Sequence, residues 1–286
     1  MALFSRKLPV EAAAPERPRL DLSGPRLKHH LEQLVSGAEK LGGIERYAEA
    51  LKLRAEVFRR SLEGTAAHRL DEMVLRDLVS LMPTVRRRIV FYLDTDGIAR
   101  IRTALQALFD GADDTASTDA RLADFCAAFP QDRKHRWVRD FGAEMLHGAD
   151  PERYPLMCRW VWDAQANTGV IREIWYVDMD HGRLDVPDGY ETCLVLREEL
   201  SGFLNENGVF RDMMQYVDLL TAQVYANYIC SQGGTYLRAD FSSPEDPMEH
   251  TRRLLGLDGA TVRFGRSHRA PVEGEAVEVG RLKSIE

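Results

Sequence analysis

No stretch of the sequence holds the roughly 20 consecutive apolar residues that a membrane-crossing helix requires, which excludes a helical membrane span. The opening residues MALFSRKLPVEAAAPERPRL contain too short an apolar run for a secretory segment, so a cytoplasmic location is expected. Cysteine is scarce as well. Four are present, at Cys126, Cys158, Cys193 and Cys230, without a C-x-x-C pair or a histidine at zinc-ligand spacing, and buried reduced thiols are expected. Also missing are a G-x-S-x-G elbow, an H-E-x-x-H pair, a phosphate-binding glycine loop and a dinucleotide fingerprint. Positive charge is in the minority, with 38 Lys and Arg against 45 Asp and Glu and a net charge of −7. Bulk attraction to nucleic acid or anionic lipid is therefore disfavoured, although a local basic patch can override it.

What is present is a chain of 286 residues, 44% hydrophobic, enough to bury a substantial core. Residues 1–25 combine prolines and alternating charges with few apolar anchors and read as a flexible leader. Amphipathic stripes follow. Leu27, Leu31, Leu34 and Ala38 recur at helical spacing after Pro25; Ile44, Tyr47, Leu51, Ala55, Phe58 and Leu62 form a second stripe; Leu70, Met73, Val74 and Leu78 form a third, closed by Pro83. TVRRRIVFYL can be a buried strand or a short helix, and a further helix runs from Ile98 towards Gly111. The acidic stretch 110–119 is the best candidate boundary. Beyond it come all four tryptophans, Trp137, Trp160, Trp162 and Trp175. Expected there are helices over KHRWVRDFGAEMLHG and from Leu156 to Val161, a strand over VIREIWYV, and a long helix from Asn207, its cap, through Tyr228.

The expected fold is mostly α, with α+β as the variant. A bundle-like helical layer over 26–110 packs on a Trp-rich, mainly helical portion over 120–260 with a few short strands, and 261–286 forms a strand pair or a mobile tail.

Two acidic stretches, FYLDTDG and WYVDMDHG, raise the question of metal or acid–base loops. Both fail as calcium loops. Counting from Asp94 puts Ile98 and Leu105 where oxygen ligands are needed, and counting from Asp178 puts Gly182 and Gly189 there. The first reads as a helix cap centred on Asp96. The second, with Asp178, Asp180 and His181, reads first as a solvated loop and is otherwise the candidate for metal-assisted hydrolysis or phosphoryl transfer. Glu144 and His147 form an E-x-x-H step, half of a di-iron pattern, and together with Asp178 and His181 are the candidate metal ligands; the cofactor is left unknown.

Around Trp137 stand Arg133, Lys134, Arg136 and Arg139, a cluster able to hold phosphates, with Arg86-Arg87-Arg88 and the arginines from Arg263 to Arg269 as further basic spots that could converge on it. Trp162 falls off the face of the helix expected around it and is assigned either to core packing or to a partner surface. Whether the protein is an enzyme stays open at this stage. The leading expectation is a non-catalytic protein-binding, adaptor or assembly role, with a protein partner or self-association through Trp162 and the arginines near Trp137. A metal-assisted enzyme is the alternative, as is a binder of nucleic acid or another phosphorylated ligand through Arg133–Arg139.

Overall fold

The computed structural model of the protein describes residues 17–40, 42–62, 70–177, 182–231 and 246–258. About 65% of these are helical, in ten α-helices and three short 3-10 helices; the described residues contain two isolated β-bridges and no extended strand. The mostly α class expected from the amphipathic stripes is the one observed.

The N-terminal helices start where the chain supplies an oxygen for their unpaired N–H groups. In α1 (Gly24–Glu39) the Ser23 hydroxyl accepts from the Arg26 N–H, and Pro25 occupies the first turn. After α2 (Ile44–Leu62), α3 (Glu72–Ser80) is capped by Asp71, which accepts from the Met73 N–H at 2.7 Å. In α4 (Thr95–Phe109) the cap is Asp94, accepting from Gly97 at 2.7 Å, and Asp96 lies in the first turn instead of capping it. A Cβ at position 97 would stand 2.3 Å from the Tyr92 carbonyl oxygen, so glycine lets the chain turn sharply into this helix. The ambiguous apolar run before it is a 3-10 helix over Ile89–Tyr92 that buries Ile89 and exposes Val90 and Phe91.

The second half consists of α5 (Thr118–Ala127), α6 (Trp137–Ala149), the single turn α7 (Val170–Glu173), α8 (Tyr190–Glu206), α9 (Met213–Ser231) and α10 (Pro247–Leu254). Several local expectations are corrected. VIREIWYV is not a strand: its first four residues are α7, and of the rest only Trp175 enters a bridge, with Leu22. Residues 156–161 are irregular chain ending in a turn, buried except for half-buried Arg159, whose N–H donates to the Asp140 carboxylate instead of to the Pro155 carbonyl that a helix would offer. Asn207 closes α8 instead of opening α9, and Phe210, expected on the α9 stripe, is exposed before that helix begins. The stretch 110–119 runs through a 3-10 helix, Thr115–Ser117, between α4 and α5, which pack on each other.

Helix α9 is the axis of the molecule. It touches α1, α2, α7, α8 and α10, so residues on all its sides are buried, among them Val217, Leu219, Leu220, Ala222, Gln223 and Ala226. Buried apolar residues from Leu20 to Leu257 form one continuous cluster. Helix α6 approaches α2 closely because Gly148 carries no side chain: a Cβ there would lie 2.3 Å from the Phe58 ring. The far end of the expected leader is tied down. Leu20 is buried, the Ser23 N–H donates to Ile174 O, and the Tyr176 N–H donates to Asp21 O, each at 2.8 Å. Residues 1–16 and the expected tail element over 261–286 lie outside the described residues. No described helix is long and apolar enough to cross a membrane.

Candidate anion-binding cleft

A cleft of about 410 Å³ opens where the segment after α3, the turn before α6, the 159–168 loop, α9 and α10 meet. Its volume is that of an ordinary small-molecule site. Arg86, Arg87 and Arg88 line it from the first segment, and Arg133, Lys134 and Arg136 from the second. Arg159 and Arg253 complete eight cationic side chains, against two carboxylates, Asp140 and Asp163. The lining thus carries a formal excess of six positive charges in a chain whose net charge is −7.

Both carboxylates are already committed. Asp140 is buried and accepts from the Arg159 backbone N–H at 2.9 Å and from its guanidinium at 2.8 Å. The pair keeps Arg159 charged: burial pulls its pKa down, but Asp140 outweighs that and holds it above its ordinary value. Asp163 accepts from Arg136 at 2.5 Å and from the Ala166 N–H at 2.9 Å. It sits in a tight turn closed by paired backbone bonds with Thr168, and Asn167 takes the positive φ of 54° that this turn demands. Arg86 is held by Asp258 through two bonds of 3.0 and 2.6 Å. By contrast the side chains of Arg88, Arg133 and Lys134 are exposed and make no hydrogen bond or ion pair with the described residues.

The basic arms are fixed relative to each other. The Tyr92 hydroxyl bonds His135 Nε2 at 2.5 Å, and His135 Nδ1 bonds Asp132 Oδ1 at 2.7 Å, linking the 3-10 helix after Arg88 to the 3-10 helix that carries Arg133 and Lys134. The Tyr92 ring packs edge-on against Phe129 and Trp137. On the α10 side a helix-ending motif, with the Leu257 N–H bonded to Arg252 O at 2.8 Å, puts Gly256 at φ +69°. A Cβ there would meet the Leu81 carbonyl at 2.1 Å, so glycine is what allows α10 to deliver Arg253 to the cleft.

Of the residues named from sequence, Arg133, Arg136 and Trp137 line this cleft, and Arg86-Arg87-Arg88 converge on it as the spacing allowed. Arg139 does not; it pairs with Asp188. Trp162 is in the core, 2% exposed, with its indole N–H donating to Val186 O at 3.1 Å, so the partner-surface alternative for this residue is replaced by core packing. Asp178, Asp180, His181 and the arginines from Arg263 to Arg269 lie outside the described residues.

Glu144 and His147 are buried on α6, but each has its own partner: Arg54 at 2.5 Å from Glu144, and Asp218 at 3.2 Å from His147, whose Nδ1 also bonds Tyr154 O at 2.8 Å. Burial raises the Glu144 pKa, with Arg54 opposing it. For His147 burial acts downward, and Asp218 more than compensates, leaving the imidazole above its ordinary range. Among the described residues no group of three or more His, Cys, Asp or Glu is gathered to hold a metal. Thr84, Trp160 and Tyr225 also line the cleft and carry no sequence signal beyond composition, because each reaches it from a separate element.

Comparison of the chain with protein-family models, curated proteins and solved structures finds no match.

Proposed function

We propose that this is a non-catalytic binding protein whose cleft takes a compact ligand carrying several phosphate groups. The observation that carries the reading is the gathering of eight cationic side chains in one concave site of an acidic chain, three of them, Arg88, Arg133 and Lys134, answered by no carboxylate of the described residues. The side chains of these three pair with nothing in the described fold. Arg133, Lys134 and Arg136 gather at the N-terminus of α6, the positive end of its dipole, where cations are unfavourable and an anion is favoured. A multiply charged anion would relieve this repulsion, and guanidinium groups suit phosphate oxygens because their N–H pairs match them geometrically.

The reading keeps the binding role expected from the sequence and exchanges its ligand, an anion in the cleft in place of a protein against Trp162. A cytoplasmic location goes with it as part of the proposal. Titration with inorganic tripolyphosphate tests it. The triple variant Arg88→Gln, Arg133→Gln, Lys134→Gln is expected to bind about tenfold or more weakly, since each exposed cation contributes a fraction of a kcal/mol. No binding by the unaltered protein, or equal binding by the variant, would sink the proposal.

A further inference from the structure

The cationic groups account for phosphate, but they are not the whole lining. Trp160 is 6% exposed, lines the cleft, and its indole nitrogen is buried without a hydrogen-bond partner. The Thr84 hydroxyl, also in the lining, is buried and unpartnered. Tyr225 joins them: its hydroxyl makes no hydrogen bond with the described residues, and burial, followed by the neighbouring Tyr228, pushes its pKa up to about 12, so it remains a neutral donor. The Trp160 and Tyr225 rings lie side by side, 5.7 Å between centroids, and Tyr228 extends the row at 5.8 Å.

A buried donor left unpaired is costly, and proteins rarely keep one without a ligand or water to satisfy it. Here three neutral groups capable of donating border a site already supplied with charged donors. A bare polyphosphate would be served by the arginines and would leave the neutral donors and aromatic surface unused. The matching molecule has phosphates at one end and, at the other, a flat group with acceptor atoms on its edge.

We infer that the ligand is a nucleoside polyphosphate, its phosphates on the Arg86–Arg88 and Arg133–Arg136 arms and its base against Trp160 and Tyr225. This rests on the phosphate-binding reading of the same cleft. A single mononucleotide-sized molecule fits better than a nucleic-acid strand, because eight cations gather in one cleft of about 410 Å³ while the chain as a whole carries a net charge of −7.

The test is isothermal titration of the full chain at fixed ionic strength, without added metal, using ATP, GTP and tripolyphosphate. At least one nucleotide should bind about tenfold or more tightly than tripolyphosphate, the margin that base–aromatic stacking supplies. Trp160→Phe, which deletes the indole N–H and shrinks the stacking face, should cut that margin by about threefold or more and leave tripolyphosphate binding within about twofold. If Trp160→Phe loses both ligands through misfolding, Tyr225→Leu, at a partly exposed position, reads the same margin. Equal affinity for nucleotides and tripolyphosphate would overturn the inference while sparing the phosphate-binding reading. A single-stranded oligonucleotide binding more tightly than either nucleotide would overturn it in favour of a polymer. Failure of every one of these polyanions to bind would overturn both.

Discussion

The two ends of α6 use charge in opposite ways. Toward its C-terminus Glu144 and His147 are buried, and each is matched by one opposite group, Arg54 and Asp218. At its N-terminus Arg133, Lys134 and Arg136 crowd together beside the Arg86–Arg88 arm, with Asp163 answering only Arg136. The interior tolerates ions only in pairs, because an unpaired buried charge costs several kcal/mol. A surplus survives only where solvent or a ligand can reach it. What one helix teaches is that its buried charges are matched one to one, while the surplus at its head is left exposed, where the proposed ligand would reach it.

The largest effect that sharpens this contrast is at the buried end. Arg54→Met leaves Glu144 alone in the interior, and the unfolding free energy should fall by about 3–5 kcal/mol in a denaturant titration. A loss under about 1 kcal/mol would mean that the pair is not a structural device. Trp162→Ala should follow closely, at about 3–5 kcal/mol, through lost burial and the cavity left.

Next in size is the His147–Asp218 pair, where Asp218→Asn should cost about 1–3 kcal/mol. Its pH dependence carries a sign. Because the folded-state pKa of His147 lies above the usual 6.5, its contribution is complete below about pH 6.5 and fades as pH rises through the folded value. The gap in stability between the unaltered protein and Asp218→Asn should therefore be widest near pH 6 and narrow on the alkaline side. A gap that widened with pH would show that the imidazole is buried neutral. The smallest change is expected at the cleft end. Neutralising Arg88, Arg133 and Lys134 together should move stability by no more than about 0.5 kcal/mol, as for exposed side chains.

The same contrast separates what the sequence discloses from what it hides. Helices α1 to α4, α6 and α9 announce themselves because their apolar residues recur at helical spacing and most are bounded by Ser23, Asp71, Pro83 or glycine. Helix α8 does not announce itself: it opens on Gly189 without a side-chain cap and buries the small Thr192 and Cys193 in its first turns, so both its start and its stripe are blurred. Residues 156–161 mislead in the other direction, since irregular chain packed against α6 and α9 buries apolar side chains as thoroughly as a helix does. In the site, the two runs of arginine are visible because they are contiguous. Trp160, Tyr225, Arg159 and Arg253 are not, because they are brought together only by how the 159–168 loop, α9 and α10 meet. The cap at Asp94 shows the limit at the finest scale: carboxylates two positions apart compete for the same role, and only backbone geometry selects between them.

The central claim is that the positive surplus at the head of α6 exists for a ligand and not for the fold, and one paired measurement reaches it directly. Melting midpoints of the unaltered protein and of the Arg88→Gln, Arg133→Gln, Lys134→Gln variant are recorded with and without tripolyphosphate, at salt of about 0.05 and about 0.2 M. The account predicts that tripolyphosphate raises the midpoint of the unaltered protein, less so at the higher salt, and leaves the variant nearly unchanged. It also predicts that the variant alone melts no earlier than the unaltered protein. A variant that melts markedly earlier, with no tripolyphosphate shift in either protein, would contradict it and return these cations to a structural role.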